Sequence, residues 1–232
     1  MVVPSASVTS SELETRLVNA GTEGPLPVVH AVTNDEIVRR DDFVERARAV
    51  MRSGGARVAV HVRAPRLGGR ELYDLACRIA ELQSETGAWT VVNDRADIAL
   101  ASGARGVQLT SRSISPADAV WFAPHLWIGA SVHSPQDARS AEDGGARWIV
   151  AAHAREDRAS GEADRGTTFI ERLAAECTVP IIAIGGVRPH HVPSLRAAGA
   201  YGVAVIRGVW NANDAGAAVI EYLSAHGTPG GR

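Results

Sequence analysis

Pro180 to Val187 reads PIIAIGGV: an apolar run followed by paired glycines. The run is too short for a helix and fits a strand buried on both faces. Gly185 and Gly186 fall at its end, where the backbone must turn or pass close to another group. About twenty residues further on, GVAVIRGV is a second buried run, and it carries Ile206, Arg207 and Gly208. Two neighbouring parallel strands ending in glycine-bearing loops match the phosphate cradle after strands seven and eight of a (β/α)₈ barrel.

Outward from this pair, six earlier strands complete the pattern. LPVVHAVT, ARVAVHVRA, AWTVVND, GVQLTS, LWIGASVH and RWIVAAH are apolar runs, each followed by a helix-like segment. Phe43, Val44, Ala47, Val50 and Met51 share one helical face, and GRELYDLACRIAELQSETG is the clearest helix. Ser115-Pro116 and Ser134-Pro135 each begin a helix, serine as cap and proline at the first helical position. Pro193 requires its helix to start there or kink. GVAVIRGVW as a whole reads as strand eight. Strict alternation implies a parallel sheet with right-handed crossovers, and eight units favour closure into one α/β TIM barrel. The barrel spans residues 25–227, after an extension of residues 1–24 and before a tail of residues 228–232. No GxGxxG follows strand one, which weakens a dinucleotide reading.

Of the 232 residues 45% are hydrophobic and 22% charged, with a net charge of -2, so bulk basicity gives no case for nucleic acid or an anionic membrane. No run approaches ~18 apolar residues, and the N-terminus lacks the basic and apolar regions of a secretory signal. Cys77 and Cys177 form no CxxC and read as small core residues of a reducing, cytoplasmic setting.

In a barrel the site lies at the C-terminal strand ends. Strand one offers His30 and Thr33; strand two His61 and Arg63; strand three Asn93 and Asp94; strand four Gln108 and Thr110. Strand five offers Ser131 and His133, strand six His153, strand seven Gly185 and Gly186, strand eight Ile206 and Arg207. Each has a plainer alternative. His30 and His61 could be satisfied core histidines, Asp94 a helix cap, Ser131 and His133 loop-positioning groups, and the glycines a turn without a ligand. His153 ends an apolar strand before a polar loop, the placing of a general acid/base. His125, His190, His191 and His226 read as surface groups.

Three segments together resemble thiamin-phosphate synthase and its relatives, the TenI-type thiazole tautomerases: VVNDRADIALASGARGVQL, IGASVHSPQDA and VPIIAIGGVRPHHVPSLRAAGAYGVAVIRGVW. The resemblance runs from about Leu26 to Tyr222. Its synthase branch implies a QLREK-like segment, and here strand two reads His61, Val62, Arg63, Ala64, Pro65. It implies a second Mg²⁺ aspartate after strand four, and here the stretch is Thr110, Ser111, Arg112, Ser113, leaving Asp94 without that partner. The synthase loop after strand six is also missing. VQL-x-S-x-S-x-SP and PHL-x-IG-x-SVHS, at Val107 to Pro116 and Pro124 to Ser134, are similar to the tautomerase branch, as is His153.

That branch implies an isomerase that needs neither metal nor organic cofactor. His153 would be the catalytic acid/base. The partner would be a phosphorylated thiazole, held by Gly185, Gly186, Ile206 and Arg207, with Arg63 toward its carboxylate. His61, Asn93, Ser131 and His133 are further substrate-binding candidates. The alternatives are a Mg²⁺-dependent synthase joining hydroxymethylpyrimidine pyrophosphate to thiazole phosphate, and a non-catalytic phosphate-ligand-binding protein. The mixed-charge loop with Arg155, Arg158 and Arg165 reads as a solvated loop or a lid. A homo-oligomer is compatible with the pattern.

Overall fold

The structure, a computed structural model, describes residues 24–152 and 165–227. Eight parallel strands close on themselves in sequence order. They are β1 (Val29–Val32), β2 (Val58–Val62), β3 (Trp89–Asn93), β4 (Gly106–Leu109), β5 (Trp127–Val132), β6 (Trp148–Ala152), β7 (Ile181–Ile184) and β8 (Gly202–Val205). The ring is completed by β1 and β8, with Val29 opposite Val203. The TIM barrel expected from the alternation is therefore the architecture found.

The principal helices are α1 (Phe43–Gly54), α2 (Gly69–Ala80), α3 (Ala96–Ser102), α4 (Pro116–Phe122), α5 (Pro135–Asp143), α6 (Arg165–Glu176), α7 (Val192–Ala197) and α8 (Ala215–His226). In α1, Phe43, Ala47, Val50 and Met51 are buried, a stripe at helical spacing against the sheet. Ser115 and Ser134 cap α4 and α5 by accepting from the amides of Asp118 and Asp137. Pro193 sits in the first turn of α7, preceded by a 3₁₀ turn at Pro189–His191, so the proline interrupts no helical hydrogen bond.

Four details differ from what the sequence implies. The long helix expected after strand two is two pieces, Gly69–Ala80 and Leu82–Thr86, ended by Gly87 at φ 71°. Strand eight stops at Val205, and Arg207–Trp210 is a separate helical turn whose Trp210 donates its indole N–H to the Val32 carbonyl at 2.9 Å. His226 is 4% exposed, with Nε2 2.8 Å from the Tyr201 carbonyl, so it is a core group rather than a surface one. Cys77 and Cys177 are free thiols, each half-buried rather than core.

Alternation along each strand divides the apolar residues into two sets. One lies between sheet and helices. The other fills the barrel and includes Val32, Trp89, Val91, Trp148, Ile182 and Ala204. Trp148 occupies room that a glycine leaves: a Cβ on Gly129 would stand 2.1 Å from its ring. Its indole N–H donates to Gln108 Oε1 at 2.8 Å. The interior is thus packed, and access is confined to the strand ends.

Candidate functional site

The glycine-bearing loops after β7 and β8 meet at one pocket. It has a volume of about 820 Å³ and is lined by Gly185, Gly186, Ile206, Arg207 and Gly208 together with Arg188, His190, Glu221 and Tyr222. Gly185 and Gly186 have φ of 123° and 63°, backbone that L side chains rarely adopt. No atom lies within 4 Å of where a Gly186 Cβ would be, so this turn faces open space. Gly208 is needed for the opposite reason: a Cβ there would meet the Tyr222 hydroxyl at 2.2 Å. That hydroxyl donates to the Val187 carbonyl at 3.0 Å and so ties the two loops together. Arg188 and Arg207 make the lining cationic, with Glu221 the opposing charge, which suits an anionic ligand.

Tyr222 was not singled out in the sequence, because nothing in a helical tyrosine announces a partner 35 residues away. Arg188 could have been, since it directly follows the glycine loop.

The second group lies on β1 to β3. His30 and His61 are 0% and 1% exposed. His30 Nε2 is 2.9 Å from the Pro27 carbonyl, His30 Nδ1 is 2.8 Å from His61 Nε2, and His61 Nδ1 is 3.2 Å from Asn93 Oδ1. Burial lowers His30 to a pKa of about 4, partly opposed by the Pro27 hydrogen bond. Burial and then the neighbouring His30 hold His61 well below the usual imidazole range. Both rings are therefore neutral near pH 7. His30 matches its core-histidine alternative; His61 joins that pair to Asn93, the last residue of β3. Thr33 braces this wall, its hydroxyl within 3.1 Å of the His61 and Arg63 carbonyls. Arg63 is half-buried, and its guanidinium has no hydrogen-bond or ion-pair partner among the described residues.

Asp94 is no helix cap. Arg95 holds the cap position of α3, without a side-chain bond, and Asp94 stands at φ 65°. That conformation is unusual for a non-glycine residue. Its Oδ1 accepts from Thr110 Oγ1 at 2.5 Å and from Ser113 Oγ at 2.7 Å. Ser131 Oγ accepts from Gln108 Nε2 at 3.1 Å. His133 is exposed at the start of α5, its backbone amide donating to Asp137. The pocket lining includes none of Arg63, His61, Asn93, Ser131 and His133. His153 and the loop with Arg155 and Arg158 lie outside the described residues.

Residues 29–209 match the family described as thiamine monophosphate synthase. The chain belongs to this family. A thiamine-phosphate synthase of Methanoculleus marisnigri is 35% identical over 196 residues, covering 82% of this chain and 90% of its own length. One from Salinispora arenicola is 36% identical over 202 residues, covering 85% and 96%. The solved structure of a thiamine phosphate pyrophosphorylase from Pyrococcus furiosus superposes with a TM-score of 0.72 at 28% identity, covering 87% of this chain and 95% of that one. The protein is thus an enzyme-family barrel of thiamin biosynthesis. No helix of the described residues is long and apolar enough to cross a membrane.

A synthase of this family implies Mg²⁺, and the residues here fit it poorly. Mg²⁺ takes hard oxygen ligands, usually carboxylates completed by substrate phosphates and water. Asp94 is one carboxylate, and its Oδ1 already accepts two hydroxyl hydrogens. Ser113 stands where a second acid would be wanted, and among the described residues no three acidic, histidine or cysteine groups converge.

Proposed function

We propose that this member of the thiamine monophosphate synthase family is an isomerase that aromatises a phosphorylated thiazole carboxylate by proton transfer. The observation that carries the reading is the state of Asp94. Its carboxylate is engaged by Thr110 and Ser113 instead of standing beside a second acid. The anionic phosphate is assigned to the loops at Gly185-Gly186 and Ile206-Arg207, where backbone N–H groups and Arg207 supply donors. The thiazole carboxylate is assigned to Arg63. His153 is assigned the acid/base role on the strength of the family resemblance: it takes the proton from ring C2 and returns one to the exocyclic carbon. The product is aromatic, so the reaction runs downhill and requires only proton movement.

The names carried by the relatives favour a second reading, a transferase that joins a pyrimidine pyrophosphate to thiazole phosphate. Two assays separate the readings. The isomerase converts the thiazole tautomer with a rise in thiazole absorbance and without added Mg²⁺, and His153→Ala slows it by about 10²–10⁴-fold. Formation of thiamin phosphate in the presence of Mg²⁺, with no tautomer conversion, would overturn the isomerase in favour of the transferase. Tight binding of the aromatic thiazole phosphate with neither activity would leave a binding protein.

A further inference from the structure

Three hydrogen bonds in series run through the barrel from Pro27 to Asn93. Their lengths are 2.9 Å from the Pro27 carbonyl to His30, 2.8 Å between the two histidines, and 3.2 Å from His61 to the Asn93 amide. Counting hydrogens fixes the direction of the chain. A carbonyl only accepts, so His30 Nε2 carries a hydrogen. A neutral imidazole has one N–H, so His30 Nδ1 is a lone pair and His61 Nε2 supplies the hydrogen between the rings. His61 Nδ1 is then also a lone pair. An amide oxygen opposite it would set two acceptors against each other. Half a turn of the amide plane places Nδ2 there and completes the third bond, with no other atom moved. The reverse arrangement, oxygen toward His61, needs three N–H hydrogens on two rings, hence an imidazolium in a site where both rings are at most 1% exposed.

We propose that His30 and His61 are positioning residues that hold Asn93 with its Nδ2 on His61 and its carbonyl oxygen offered to the site as an acceptor. Asn93 ends β3 and is 8% exposed, at the open end of the barrel. Its oxygen then has no protein partner among the described residues. A matching device sets the polarity at β5. The Trp148 indole can only donate, so Gln108 Oε1 must face it, and Gln108 Nε2 donates to Ser131 Oγ. The Ser131 hydroxyl hydrogen is left for a ligand. The site therefore offers an acceptor at β3 and a donor at β5. It selects a ligand whose acceptor edge faces β5 and whose N–H, O–H or apolar edge faces β3. If the thiazole reading holds, on which this last step rests, the carboxylate is turned away from the Asn93 oxygen and toward Arg63 and Ser131.

The test needs no substrate, so its outcome is independent of which activity the enzyme has. Nitrogen-15 NMR of the full-length protein at pH 7 is expected to show His30 and His61 as neutral Nε2–H tautomers, with coupling across the hydrogen bond between Asn93 Nδ2 and His61 Nδ1. An Nδ1–H on His61, or an imidazolium in either ring, overturns the proposal. His30→Leu, close in volume, removes the group that accepts from His61 Nε2. The expected result is a shift of His61 toward the Nδ1–H tautomer and loss of the coupling to Asn93; persistence of that coupling would show that His30 does not orient the amide. If that variant does not fold, the wild-type spectrum alone decides.

Discussion

The wall formed by β1 to β3 and the loops after β7 and β8 handle polar groups in opposite ways. On the first, side chains do the work: two neutral imidazoles sealed from water, and beside them the amide of Asn93 at the open end of the barrel. On the second, backbone does it: two glycines at positive φ, a third beneath a tyrosine hydroxyl, and arginines at the edge. The sealed wall cannot take up charge cheaply, whereas the open loops are suited to hold it. A ligand with an anionic end for the loops and a second end whose donors and acceptors must match the strand-end groups is what such a pair of walls can distinguish.

This contrast can be broken from either side, and the largest effect is expected in the sealed interior. Gly129→Ala places a methyl 2.1 Å from the Trp148 ring, which must leave its place beside Gln108. A loss of about 3 kcal/mol or more is expected in urea denaturation, the upper range for overpacking. A change near 1 kcal/mol or less would mean that the interior yields more readily than its packing implies.

Acid should reach the same wall. His30 binds its proton at about 4 in the folded chain, against an ordinary value of 6.5. Between these values the unfolded chain holds a proton that the folded one does not. Stability is therefore complete above about pH 6.5 and falls as the pH drops toward 4, by about 3 kcal/mol from His30 alone. His61 acts in the same direction. Urea midpoints measured across this window should fall in the wild type and fall less in His30→Leu; equal slopes would sink the assignment.

The open loops should respond in affinity more than in fold. Gly208→Ala pushes on Tyr222 and shifts the cradle, and about tenfold weaker binding of inorganic phosphate is expected by calorimetry, equivalent to ~1.4 kcal/mol. Tyr222→Phe removes only the bond to the Val187 carbonyl, worth about 1 kcal/mol of stability, with a smaller change in phosphate affinity. Unchanged phosphate binding in Gly208→Ala would remove the anion from this pocket.

The barrel was legible because its eight buried runs and their glycine stops are local signals that repeat. The short helices at Asp35–Val38 and Arg207–Trp210 were not, since one turn carries no periodicity to read, and neither was the break between Ala80 and Leu82. Among the site residues, Gly185 and Gly186 could be read from the chain because a backbone requirement shows in the residue type itself. The roles of His30, Asp94 and His226 could not. Each is settled by a partner brought in by the fold: His61 at a separation of 31 residues, Thr110 and Ser113 at 16 and 19, Tyr201 at 25. A histidine at a helix end looks solvated until the carbonyl that seals it is known.

The contacts that join the two ends of the chain have a consequence for how the protein is made. Trp210 reaches Val32 across 178 residues, Tyr201 reaches Leu26 across 175, and Arg40 donates to the Trp210 carbonyl and the Asn211 side chain. The Arg207 loop of the glycine-lined pocket lies on this seam. A ribosome delivers the first strand early and the last strand nearly at the end, so the seam closes only when synthesis is almost complete. Until then the pocket lacks one of its two loops. Binding of the proposed phosphate there would thus be a property of the finished ring alone, and an anion present as the chain emerges would stabilise the closed ring without favouring any shorter intermediate.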